Sequence, residues 1–294
     1  MTRHGPAVVA LGGGHGLAAT LRAARVYAGS VAAVVSVADD GGSSGRLRAA
    51  FDMPAPGDLR RCLGALADED SLLARAFEHR FDSGELAGHP VGNLLIAGLT
   101  AASGDFVAAL DEAGRLLGAK GRVLPATVEP VVLTATLAGG GQVKGQVEVD
   151  NAQGIERVGL DPLDPKPPGE VLDLIVSADQ VVLGPGSLYS SVLAVLAVPA
   201  IADALASVSD KVVFVCNVRA VRSTAGFDVG DHVRALADHG VTPARVLCDS
   251  TPSWVMPVGA VPLSSAVVTA PMAHPDVPAH DPARLAEALA ALVS

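Results

Sequence analysis

Residues 7–20 read AVVALGGGHGLAAT, and their order decides the fold. A short apolar run, 7–11, ends in glycines. A helical pattern follows over 17–26, with Leu17, Leu21 and Ala24 on one face, and a second β-branched run spans 31–37. Strand, glycine loop, helix and strand make a βαβ unit. Such units favour a parallel sheet with helices on both faces. The expected class is α/β: Rossmann-like, mostly parallel, with helices on both faces of the sheet.

Downstream, helical patterns are expected over 59–82 and 93–118. The second contains NLLIAGLTAA, apolar almost all round, the mark of a deeply buried helix. Over 121–158 the pattern changes. VVLTATL, QVKGQVEV and GIERVGL alternate or are β-branched, separated by AGGG and DNAQG, which predicts a small antiparallel β insertion. LDPLDPKPPGE reads as a proline-rich connector. QVVLG, KVVFVCN and ARVLCD read as strands. SLYSSVLAVLA and VGDHVRALADHG read as helices, the latter stopped at Gly240. DPARLAEALAALV closes the chain as an amphipathic helix with Asp281 as N-cap and Pro282 at its first position. With no internal repeat, residues 1–294 are expected as one α/β domain carrying the insertion.

Half of the residues are hydrophobic but only 3% are aromatic, so the core is expected to be Ala, Val and Leu packed in small units. A formal net charge of −10 excludes a broad basic surface for nucleic acid. It leaves room for anionic ligands held by backbone N–H groups and a few local arginines. Cys62, Cys216 and Cys248 are far apart in the chain, odd in number and without a CxxC pair. That argues against a disulfide framework or a zinc site and fits a reducing cytoplasm. Residues 1–6 carry no signal-peptide pattern, and Pro199 and Asp203 interrupt the apolar stretch 188–208, which reads as buried helices rather than a membrane span. The mean hydropathy of +0.41 points to a helix face buried against a second copy, a homodimer.

The candidate chemistry sits in glycine loops at strand ends. Gly14-x-Gly16-x-x-Ala19 satisfies the GxGxxA dinucleotide pattern. Glycines let a phosphate approach the backbone and bring a helix N-terminus, with its open N–H groups and positive dipole end, against an anion. An acid after the second strand, Asp39 or Asp40, then meets a ribose hydroxyl. The alternative is a tight strand–helix turn without a ligand. No Lys-Ser/Thr follows the glycines, so the loop is not a P-loop.

A second loop, SVADDGGSSGR over 36–46, has little that packs into a core. Gly41, Gly42 and Gly45 expose backbone, Ser43 and Ser44 offer hydroxyls, and Arg46 offers a fork for phosphate or carboxylate. Asp39 and Asp40, being adjacent, point apart in an extended segment, so one serves a ligand or metal and the other fixes the loop. The alternative is a solvated turn. Asp58, in APGDLRRCLGAL, is either an N-cap or a ligand group. Arg60 and Arg61 in the same helix's first turn oppose its dipole unless they face an anion. Asn93 in GHPVGNLLIAGL caps its helix or reaches a ligand ring. LGPGSLYSSV places Gly184, Gly186 and Ser187 between strand and helix. It is not a nucleophile elbow, because Tyr189 stands where a glycine is needed. Asn217 ends the strand KVVFVCN.

LGGGHGL, VSVADDGGSSGRLR, APGDLRR, GHPVGNLLIAGL, LGPGSLYSSVL and VCNV followed by GFDVGDHVRAL occur in the order seen in YvcK-type gluconeogenesis factors, which the chain resembles over roughly residues 7–250. The wider superfamily includes the CofD-type 2-phospho-lactate transferases. The resemblance implies a cytoplasmic, Rossmann-like protein that binds UDP-sugars, notably UDP-N-acetylglucosamine. It also implies links to cell shape, cell-wall synthesis, growth on gluconeogenic carbon and a cell-wall or regulatory protein partner. It assigns Gly12, Gly13, Gly14 and Gly16 to phosphate contact, Asp40 and Asp58 to a divalent ion such as Mg²⁺, and Asn93, Gly186, Ser187 and Asn217 to the cleft. His15 departs from the family threonine and substitutes an imidazole; Pro90 replaces the serine of GHSLGN and removes an N–H donor. A CofD-type transferase acting on a deazaflavin is the competing reading. A flat ring asks for an apolar or aromatic pocket, and Tyr27, Tyr189, Trp254 and six phenylalanines are all the chain has, so no tightly bound organic cofactor is expected. A nicotinamide-linked oxidoreductase accounts for the first loop only.

Overall fold

The computed structural model describes residues 5–68, 70–253 and 255–293; Trp254 lies outside them. The chain opens β1 (Ala7–Gly12), α1 (Gly14–Tyr27), β2 (Ser30–Val35) and α2 (Gly42–Phe51). Then come α3 (Gly57–Leu66), α4 (Leu72–Glu78), α5 (Val91–Ser103), α6 (Phe106–Leu117) and β3 (Arg122–Pro125). The insertion follows: β4 (Val132–Leu137), β5 (Gln142–Lys144), α7 (Gln146–Asn151) and β6 (Ile155–Asp161). The second half holds α8 (Gly169–Ser177), β7 (Gln180–Leu183), a π-helical turn (Leu188–Val192), α9 (Leu193–Leu196), α10 (Pro199–Ser207) and β8 (Val212–Val215). It ends with α11 (Val229–Asp238), β9 (Arg245–Asp249), β10 (Ala266–Ala270) and α12 (Pro282–Ala290).

Seven strands form one parallel sheet in the order β10-β9-β8-β7-β1-β2-β3. Successive residues of a strand point to opposite faces, yet Val8, Val9, Ala10 and Leu11 of β1 are all buried, so both faces are covered. From β1 the chain steps outward through β2 to β3; from β7 it steps the other way, through β8 and β9 to β10. Parallel crossovers are right-handed, so the helices that connect the strands of the two halves fall on opposite faces, while α12, after the last strand, returns to the face of α1. α1 lies between α3 and α12, whereas α8, α9 and α10 pack together. The direction change makes β1/β7 the switch point, and α/β sheets bind ligands at the carboxyl ends of the strands there. The core is Val, Leu and Ala almost throughout, with Phe77 its largest fully buried side chain. Asp281 caps α12 as expected, accepting the N–H groups of Ala283 (2.9 Å) and Arg284 (3.1 Å). Gly240 follows α11 with φ +89°.

Several sequence expectations are corrected. The stretch 36–46 is only half a loop, since α2 starts at Gly42 and buries Ser43 and Ser44 in its first turn. The pattern over 59–82 splits into α3 and α4, and that over 93–118 into α5 and α6 at Gly104, whose φ of +69° ends α5. α5 is not buried all round: Ile96 and Ala97 are buried, Leu94, Leu95 and Leu99 only half-buried. β3 belongs to the main sheet, so the insertion begins after it. Its three strands pair antiparallel in the order β5-β4-β6, but QVEVDN is helix α7 rather than strand. α8 and β10 had no clear pattern; β10 is a five-residue edge strand, only partly buried. Cys216 and Cys248, distant in sequence, end adjacent strands with their sulfurs 3.7 Å apart. Among the described residues no single helix is long and apolar enough to cross a membrane; the apolar pair Leu188–Leu196 and Pro199–Ser207 is bent by 81°, the first of the two is buried, and the second buries only Ile201 and Leu205.

Candidate functional site

The loops leaving β1 and β7 lie against each other. A Cβ on Gly16 would run into the Pro185 carbonyl, so only glycine lets α1 start this close to the second loop. One turn further on, the Thr20 hydroxyl donates to the Gly184 carbonyl (2.9 Å). Asn217, beyond β8, holds the same loop at two points: its Oδ1 accepts the Gly186 N–H (3.0 Å) and its Nδ2 donates to the Gly186 carbonyl (2.7 Å). Asn217 therefore shapes the glycine loop as well as lining a cavity.

The acids divide their tasks. Asp58 is buried in the first turn of α3, where Pro56 is the cap, so Asp58 is not an N-cap. Its carboxylate accepts the Gly14 N–H (2.7 Å) and pairs with Arg61 (2.5 Å), tying α3 to the first glycine loop. Burial pushes its pKa up, Arg61 opposes that, and the nearby Asp39 adds to it. Asp40, by contrast, accepts the N–H groups of Gln146 (3.0 Å) and Val147 (3.2 Å) and so caps α7 of the insertion. The expected pairing of Asp40 with Asp58 is not what the fold brings together. Asp39 and Asp58 share the cleft, and Asp40 fixes the loop.

Those two carboxylates line a polar cleft of about 380 Å³ with Gly13, Gly14, His15, Gly16, Gly186 and Ser187. The opposite wall is α7. Its Asp150 accepts hydrogen bonds from Ser187 (2.7 Å) and Ser190 (2.6 Å), and Gln146 lies beside it. Sequence reading missed Asp150, because DNAQG reads as a turn and nothing local announces the helix. A larger, more apolar cavity of about 530 Å³ adjoins the cleft across His15, Gly16, Gly186 and Ser187. Ala19, Pro185, Val218 and Pro278 are among its walls, and Arg22, Asn217, Arg219 and His280 are among its polar points. Burial pulls His280 down to about 4, so its ring is neutral at pH 7, and its buried Nε2 has no partner among the described residues. Burial and then Arg61 and Arg60 also lower the pKa of His15.

Gly42, Ser43, Ser44, Arg46 and Asn93 do not line either cavity. Asn93 donates to the Ser43 hydroxyl (3.0 Å), which also meets His89 Nδ1 (2.8 Å), a buried cluster joining α2 to α5. Arg46 donates to the Ala87 carbonyl (2.8 Å) and Arg48 to that of Val131 (2.8 Å). Gly12 and Gly184 likewise line neither cavity; a Cβ on Gly12 would lie 3.9 Å from the Gly184 backbone.

The residue set fits a divalent ion in one way. Among the described residues no group of three His, Cys, Asp or Glu side chains comes together, so a preformed cage is absent. Mg²⁺ is commonly held by one or two carboxylates plus ligand phosphates and water, and Asp39 with Asp58 provide such a pair.

The profile of the family described as 2-phospho-L-lactate transferase CofD matches residues 8–276. A protein of Mycobacterium tuberculosis is 45% identical over 303 residues, covering 96% of this chain and 89% of that one. The gluconeogenesis factor of Bacillus subtilis is 42% identical over 239 residues, covering 80% and 75%. A crystal structure of a UPF0052-family protein from Bacillus halodurans superposes with a TM-score of 0.89 at 37% identity, covering 97% of this chain and 98% of that one.

Proposed function

From the premise that the chain belongs to the CofD family, with relatives named gluconeogenesis factor at 42–44% identity, we propose that it is a cytoplasmic UDP-sugar-binding regulatory protein, with UDP-N-acetylglucosamine as its ligand. One observation carries this reading. A polar cleft and a more apolar cavity meet across the same glycines at the β1/β7 switch point. The apolar cavity takes the base, with His280 and Asn217 as polar partners. The diphosphate crosses Gly14–Gly16 and Gly186–Ser187. The sugar faces α7, where Asp150 and Gln146 offer hydrogen bonds to hydroxyls. Asp39 and Asp58 face the phosphate path, so Mg²⁺ held by them neutralises charge that would otherwise repel the ligand. In the cell the bound state is read by a cell-wall or carbon-metabolism partner.

Calorimetric titration with UDP-N-acetylglucosamine, with and without Mg²⁺, tests this. Saturable binding, tighter with Mg²⁺ and with the nucleotide recovered intact, is the expected result. UDP release would make the protein an enzyme. Absence of binding, with visible absorbance from a bound deazaflavin, would replace the reading by the transferase. The division among the acids gives a second expectation. Asp39→Asn lowers affinity about tenfold in Mg²⁺ and little without it. Asp40→Ala uncaps α7 at a cost of about 1 kcal/mol in stability, a typical loss for a helix cap, and lowers affinity equally with and without Mg²⁺. The opposite pattern would return the metal to Asp40.

A further inference from the structure

A cavity of about 440 Å³ lies between α1, α3 and α4, beside the proposed nucleotide path, sharing Arg22 with the apolar cavity and Arg61 with the polar cleft. Arg22, Arg60, Arg61, Arg75 and Arg80 line it, with Glu78 as the carboxylate among them. This is a dense positive patch for a chain of net charge −10. Arg60 is only 4% exposed; it pairs with Glu78, yet its buried Nε has no acceptor among the described residues. Burial lowers its pKa, and Arg61 and Arg80 push the same way against Glu78. Converging guanidinium groups repel one another and focus a positive potential into the space they enclose. The walls between them are small, Ala18, Gly64 and Ala74, so the space is not filled by packing.

We propose that this cavity is a second ligand site, for a phosphate dianion, free or carried on a small organic molecule. Guanidinium forks match phosphate oxygens two at a time, and with Arg60 paired to Glu78 and Arg61 to Asp58, a dianion offsets the added charge of Arg75 and Arg80 better than a carboxylate does. The volume falls among small-ligand sites and exceeds what a bare phosphate fills, which favours the organic phosphate. The site communicates with the cleft. His15 lines both cavities, and Arg61 reaches from this one to Asp58, which holds the Gly14 N–H. A ligand that draws on Arg61 changes the charge around Asp58, so its binding is coupled to that of any anion on the glycine loop.

The test is titration of the full chain with glycerol 3-phosphate, inorganic phosphate and glycerol. Wild type is compared with the Arg75→Ala/Arg80→Ala double variant and with Arg75→Glu. Both arginines are exposed and outside the two cleft cavities. Arg80 also donates to the Gly88 carbonyl, and the single Arg75 variant keeps the result readable if that loop loosens. Saturable binding of glycerol 3-phosphate, at least tenfold weaker in either variant, with UDP-N-acetylglucosamine affinity unchanged within twofold, is the expected result. Tighter binding of inorganic phosphate would assign the site to the free anion. Failure of both anions to bind, equal binding to the variants, or binding of glycerol itself would overturn the proposal. Because the UDP-sugar titration is separate, its failure leaves this result legible.

Discussion

Gly16→Ala is expected to lower stability by about 3 kcal/mol, the upper part of the usual range for overpacking, and to weaken UDP-N-acetylglucosamine binding more than tenfold. Alanine is the better helix former by about 1 kcal/mol, so propensity alone forecasts a gain. The added methyl, however, would overlap the backbone carbonyl of Pro185, which cannot swing aside like a flexible side chain. Either α1 tilts or the loop after β7 retreats, and the Thr20–Gly184 hydrogen bond is lost with it. Gly14→Ala is the control. Nothing lies within 4 Å of a Cβ there, but φ is +69°, so its cost is about 1–2 kcal/mol, that of a left-handed non-glycine residue. Urea unfolding and calorimetry measure both. A Gly16→Ala protein as stable as wild type would mean that the two loops are not in the contact described.

Asp58→Asn is expected to remove the Mg²⁺ enhancement of ligand binding, a loss of at least tenfold, and to cost some stability, because the single acceptor oxygen of asparagine can keep the Gly14 N–H while its NH₂ group replaces the oxygen that pairs with Arg61. It should also flatten one part of the stability–pH curve. Burial raises the Asp58 pKa in the folded protein above its ordinary 3.8, so in the interval between the two values the native state binds more protons than the unfolded chain. Stability from this group is therefore full below the ordinary carboxyl pKa and is lost as pH rises through the raised one. Wild type gains stability on acidification across that interval and the variant lacks this gain, whereas ligand binding, which needs the ionised form with Mg²⁺, weakens over the same interval. Thermal melts and titrations across mildly acidic pH check both slopes. A variant with the same Mg²⁺ dependence as wild type would take Asp58 out of the ion site.

What the sequence disclosed was local. The strand–glycine–helix opening, the parallel sheet, the glycine loops at strand ends and the Asp281-Pro282 helix start are each written within a dozen residues, and each forms. What it hid depends on partners far along the chain. Gln146–Asn151 looks like a strand because Val147 and Val149 alternate; it is helical because Asp40, 106 residues earlier, caps it. Gly145, at φ +99°, leaves the room that the Asp40 carboxylate fills. Asp150 enters the cleft only through that helix. The arginine cavity was hidden for the same reason: Arg60 and Arg61 stood out, but Arg22 from α1 and Arg75 and Arg80 from around α4 join them only in space. Asn93 and Ser43 were legible as polar residues near helix starts. Their mutual hydrogen bond, which turns them toward each other and away from the cleft, was not.

The long-range capping of α7 also bears on how the protein is made. A six-residue helix is too short to persist alone in water, so this wall of the cleft waits for its upstream carboxylate and its downstream serines. During synthesis the Asp39–Asp40 loop emerges early, but Ser187 and Ser190 follow only after most of the first two-thirds of the chain, on the order of ten seconds later at ordinary elongation rates. Nascent chains halted before β7 should therefore retain no nucleotide, and because Asn217 and His280 of the base cavity emerge later still, retention should begin only in chains that extend beyond Pro282.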